Sequence, residues 1–128
     1  MRSEKAKRQE MAHILNLFGD YIACHTCFDI VFSQKVGYIW LRIREGDIEG
    51  VALVDSVQRL LSFLFDEIVF DAVVASPYEH MEGYPAEEEQ AAAKRRIAMI
   101  LDHAGEERKK YLRLFDRHLK SMGDNALE

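Results

Sequence analysis

Apolar and polar positions along this chain follow two different rhythms, and the longest unbroken one is helical. From Asp55 to Ser76, at 100° per residue, Asp55, Gln58, Arg59, Ser62 and Asp66 gather into one narrow polar stripe. Val57, Leu60, Leu61, Phe63, Leu64, Phe65, Ile68, Val69, Phe70, Val73 and Val74 occupy the rest of the circumference. A helix apolar on most sides needs neighbours on several of them. The spacing therefore predicts a central helix that the other segments cover.

Residues 3–18 predict a helix with Ser3 as N-cap and Met11, Ile14, Leu15 and Phe18 on its apolar face. Gly19-Asp20 offers a stop and a fresh N-cap. A second amphipathic helix is expected over 20–34, with Tyr21, Cys24, Cys27, Phe28, Val31 and Phe32 inward and His25, Thr26, Asp29 and Ser33 outward. Between Lys35 and Val54 the period becomes two: Ile39, Leu41 and Ile43 alternate with Tyr38, Trp40, Arg42 and Arg44. Glu45-Gly46-Asp47 supplies turn residues, so a short hairpin is expected near 36–54. Val36, Ile39, Trp40 and Ile43 also fit helical spacing, which leaves an all-helical alternative.

Both prolines bound the expected loop Pro77 to Pro85, and Pro85 suits the first turn of a further helix over 86–122. Glu87, Glu88 and Glu89 lead that helix and Lys94, Arg95 and Arg96 follow, the order its dipole favours. Ile97, Leu101, Ala104, Arg108, Tyr111, Phe115, His118 and Met122 form a 4-3 row along it. Gly105 marks a kink or a break into two helices, Gly123 a C-cap, and 124–128 a frayed tail. The fold expected is mostly α: a single domain over 1–128, a bundle of four or five helices around the central one, with the small hairpin attached.

Composition narrows the function classes without choosing one. The 128 residues carry a net charge of −5, so the whole chain has no attraction for nucleic acid or an acidic membrane surface. Arg59, Asp66, Glu67 and Asp71 interrupt the most apolar segment, which argues against a membrane span. The polar start, Met-Arg-Ser-Glu-Lys, has no apolar signal region, and two cysteines fit reduced thiols in a cytoplasm.

Cys24-His25-Thr26-Cys27 is the short pattern of chemical interest. A C-x-x-C serves as a dithiol couple or as half of a zinc site, and Cys24 and Cys27 are the candidates for both. It resembles the motif of the all-helical peroxidase-reductases, in which a histidine follows four residues on. Val31 stands there, so the resemblance carries no reaction over. On a helix over 20–34 both thiols would face the core and act as small hydrophobes. Zinc would need two more ligands from His13, His80, His103 or His118, none of them in zinc-finger spacing. Asp102, His103, Glu106 and Glu107 lack the Glu-x-x-His order of di-iron bundles and read as solvated side chains. His25 and Asp29 read as a surface pair with no nucleophile beside them. Glu67 and Asp71 are expected opposite a basic neighbour such as Arg42 or Arg44.

No catalytic residue, cofactor or reaction is named by these residues, and the reading leans away from an enzyme. The expected function is protein–protein association, first with a second copy. A straight helix over 86–122 would run about 55 Å at ~1.5 Å per residue, longer than a domain of this length is wide. Ile97, Leu101, Tyr111, Phe115 and Met122 are the interface expected of a homodimer, with an unidentified protein partner as the other candidate. The alternatives are a thiol-redox or metal-binding protein using Cys24 and Cys27, and a nucleic-acid regulator using the last helix. That helix sets six basic residues against three acids over 106–120, but no aromatic platform accompanies them, so nucleic acid is not expected.

Overall fold

The computed structural model describes residues 4–75 and 85–127, with side chains through Gly123. Ser3, His80 and the stretch 77–84 of the expected loop lie outside the described residues. The chain divides into two compact units, Met1–Leu61 and Ser62–Glu128.

The first unit holds helices α1 (Glu4–Leu17) and α2 (Gly19–Cys24) and strands β1 (Phe28–Ser33), β2 (Gly37–Arg44) and β3 (Asp47–Val54). The strands form one antiparallel sheet in the order β1-β2-β3. The architecture is therefore α+β, which corrects the expected helical bundle with an attached hairpin. The error lies in 20–34, where the second helix stops at Cys24 and a strand replaces the rest. His25 and Thr26 are weak helix formers, and Phe28, Ile30, Val31 and Phe32 are β-branched or aromatic residues that suit a pleated surface. A two-stranded ribbon is marginal alone, and β1 completes it by pairing with the free edge of β2.

The predicted hairpin residues form β2 and β3. Glu45 and Gly46 both have positive φ, 52° and 84°, the backbone of a two-residue type I′ turn, which matches the right-handed twist of the strands it joins. At the other turn the Ser33 hydroxyl accepts hydrogen bonds from the Lys35 and Val36 amides, at 3.2 and 3.3 Å. On one sheet face Phe28 stacks on Trp40, centroids 4.3 Å apart and planes 3° from parallel. Phe28, Trp40 and Val54 are buried there, and Met11, Ile14, Leu17, Phe18, Leu60 and Leu61 are the other large buried side chains of this unit.

The predicted central helix is α3 (Val57–Val74), within which the division between units falls. Ser56 caps it, its hydroxyl accepting from the Arg59 amide at 3.0 Å. Seven of its residues, Leu60, Leu61, Leu64, Phe65, Ile68, Val69 and Ala72, are buried apolar side chains. Phe70 and Val74 are exposed, so the covered arc is narrower than expected.

The second unit continues with α4 (Glu87–Ile100), a 3-10 turn at Asp102–Ala104, and α5 (Glu107–Leu127). The helix expected over 86–122 is broken at Gly105, whose φ of 62° and ψ of −133° no side-chain-bearing residue adopts readily. Helix α5 runs through Gly123, which is therefore not its cap. Glu89 closes the start of α4, accepting the Ala86 amide at 2.7 Å.

α4 and α5 pack on each other, and Arg108 joins them. Its Nε and Nη2 both donate to the Ala98 carbonyl, at 3.2 and 3.0 Å. That carbonyl is in the last turn of α4, where the helix offers no amide and where positive charge suits the dipole. Arg108→Ala is expected to cost about 1.5–3 kcal/mol, the range for a charged hydrogen bond, read from denaturant unfolding. Arg108→Lys should recover only part, because a lysine cannot reproduce the fork.

Phe65 meets Phe115 edge-on at 5.2 Å, and His118 Nε2 lies 2.6 Å from Asp66 Oδ1, tying α5 to α3 within this unit. Burial, and after it the Glu107 charge, raise the Tyr111 hydroxyl above its ordinary pKa.

Candidate interaction surface

An antiparallel sheet with one face covered normally shows water an alternating, polar second face. Here both alternations are apolar. Phe28, Ile30, Phe32, Tyr38, Trp40, Ala52 and Val54 project from one face, with Arg42 as the charged residue beside Phe28. The register places Val31, Ile39 and Leu53 side by side on the other, then Leu41 beside Val51. Ile43 pairs with Ile48 at the end of the same row, because a bulge between Arg42 and Ile43 gives β3 one extra residue there. Asp29, at the β1 margin, is the charged residue these pairings add to that face.

These seven side chains are open to solvent to an unusual degree. Val31 is 38% exposed, Leu53 51%, Ile48 62% and Val51 66%, while Ile39, Leu41 and Ile43 are half-buried. β1 and β3 are both edge strands, so the apolar face is flanked by backbone able to hydrogen-bond.

Comparison with protein-family models, curated proteins and solved structures finds no match to this chain.

The residues expected at a homodimer seam lie elsewhere. Ile97, Leu101, Tyr111 and Phe115 are all buried, at 2% exposure or less, and Met122 is half-buried. Breaking at Gly105 lets α4 and α5 pack as a hairpin, so the 4-3 row is covered within the chain. Its two polar members are engaged too, Arg108 with Ala98 and His118 with Asp66.

Cys24 and Cys27 are free thiols and both are exposed, which overturns their expected burial on a helix face. With α2 ending at Cys24, Cys27 falls in the bend before β1 and no helix turns it inward. His25 and Asp29 are not helix partners either. Asp29 Oδ1 accepts from the Ile30 amide at 2.8 Å, and the His25 ring lies against Phe28 at 4.6 Å.

The remaining candidates are spread out. Lys109 pairs with Glu106, Lys94 with Asp116, and Lys110 sits over the Tyr111 ring, which divides the charges of the α5 region among local partners. Arg44 pairs with Glu49 on its own hairpin. A shallow groove lined by Lys5, Arg8, Ala12, Phe32 and Tyr38 is partly filled by Arg8, whose guanidinium lies 5.7 Å from the Phe32 centroid. No described helix is long and apolar enough to cross a membrane.

Sequence reasoning found the alternation of Ile39, Leu41 and Ile43 but not the surface they belong to. The signal available was Val51-Ala52-Leu53-Val54, apolar at odd and even positions alike.

Proposed function

We propose that this protein is a self-associating interaction module whose sheet packs face to face against the sheet of a second copy. One observation supports the reading above the others: the seven apolar side chains of Val31, Ile39, Leu41, Ile43, Ile48, Val51 and Leu53 share one open face. That face has no positive charge to attract nucleic acid or an acidic peptide, and a flat apolar β surface is complementary to another like itself. A two-fold axis makes such a contact isologous and closed.

The area sets the expected strength. Three strands about 4.8 Å apart and about 3.3 Å per residue over eight residues give a footprint of roughly 14 by 26 Å, about 370 Å². A specific interface takes about 800 Å² per partner. The sheet supplies about half of that, which suits a reversible dimer in the micromolar range and not an obligate one. A cytoplasmic setting agrees with two exposed reduced thiols.

Sedimentation over a concentration series tests this. The weight-average mass is expected to rise from the 14.8 kDa of one chain toward twice that value. A mass that stays at one chain into the high micromolar range overturns the proposal.

A further inference from the structure

We infer that Cys24 and Cys27 form a reversible dithiol–disulfide couple that reacts with small disulfides of the glutathione class. The inference is independent of the sheet's self-association and rests on where the helix ends. Both thiols are exposed, and both are free. His25 leaves the helix in extended conformation, φ −82° and ψ 138°, and the chain then bends through Thr26 and Cys27. The Cys27 amide donates to His25 Nδ1 at 3.1 Å, folding this short loop back on itself.

The two ends of the loop are held differently. The Cys27 carbonyl accepts from the Ile43 amide at 2.8 Å and faces the Arg42 guanidinium at 3.5 Å, so its backbone is anchored to β2. Cys24 is the last residue of a six-residue helix, a length that has little stability apart from its packing. Three residues of chain span at most about 11 Å, and a disulfide needs Cα atoms about 4.4–6.8 Å apart. The spacing therefore allows the two sulfurs to join, with the Cys27 backbone as the anchored end.

The chemistry balances with the disulfide as oxidant. One cysteine thiolate attacks a sulfur of glutathione disulfide, forms a mixed disulfide and releases one glutathione thiolate. The second cysteine thiolate attacks the protein sulfur of that mixed disulfide and releases the other. Two protein thiols are oxidised, one glutathione disulfide is reduced to two thiols, and the cysteine protons pass to the departing thiolates through solvent.

Incubating the full chain in glutathione buffers of increasing oxidised fraction, trapping free thiols with an alkylating agent and weighing the intact protein tests the inference. The expected product lacks two hydrogens, takes up no alkyl group and carries no lasting glutathionyl group. Cys24→Ser and Cys27→Ser should each accumulate one glutathionyl group on the cysteine that remains. Thiols that alkylate only after denaturation, a wild-type chain that retains glutathionyl groups without closing, or a serine variant that takes none would each overturn it.

Discussion

Val51→Lys combined with Leu53→Lys is expected to abolish association while leaving the fold intact. Both side chains are more than half exposed on β3, so each change removes little packing within the chain. Surface substitutions of this kind are usually within about 0.5 kcal/mol of neutral. In a face-to-face contact the same change sets two ammonium groups per chain into an apolar surface whose one carboxylate is that of Asp29 on the opposite edge strand. An interface residue that carries binding energy costs about 2 kcal/mol when lost, which is roughly thirtyfold in Kd. Sedimentation should then report a single chain at concentrations where the wild type is paired, with the melting temperature that the wild type shows when dilute enough to be a single chain. Unchanged association in the double-lysine variant would remove the sheet from the interface. The positions are also diagnostic, because Ile97, Leu101 and Phe115 cannot be changed without disturbing the interior.

The largest loss of stability is expected from Phe28→Ala. Phe28 is 1% exposed, lies flat on Trp40 and touches the rings of Tyr21 and His25 at centroid distances of 6.0 and 4.6 Å. Truncating a buried phenylalanine costs about 3–5 kcal/mol, and the lost stacking is part of that sum. Set against a total of about 5–15 kcal/mol for a domain, this removes from about a fifth to all of the stability. Urea titrations of wild type and variant measure the difference. A loss below about 1 kcal/mol would mean that the first strand is not held by this stack.

The helical parts of the fold were legible because their signal is long. Eighteen residues of α3 repeat one pattern, and Ser56, Glu89 and Gly105 punctuate the helices as capping and backbone rules expect. β1 was not legible, because Tyr21, Cys24, Phe28, Val31 and Phe32 satisfy helical spacing while Phe28 to Ser33 is equally a strand. Six residues cannot decide between those periods, and pairing with β2, a contact between distant residues, decides it instead. The thiols followed from that single error: once the helix ends at Cys24, the face assigned to Cys27 no longer exists. The candidate surface was hidden for a related reason. Alternation reveals a sheet face only when the two sets of residues differ in polarity; in β2 they do, but Val51 to Val54 of β3 is apolar on both sides and hides which face is open.

The bulge in β3 has a consequence for how this surface could be lost. Ile48 shares a side with Val51, three positions away, because Glu49 is supernumerary in the ladder. Deleting that one codon would restore strict pairing and leave Ile48 two positions from Val51, on the side it already occupies. The apolar row therefore survives a one-residue shortening of the strand, and a lineage would have to substitute its members one by one to be rid of it.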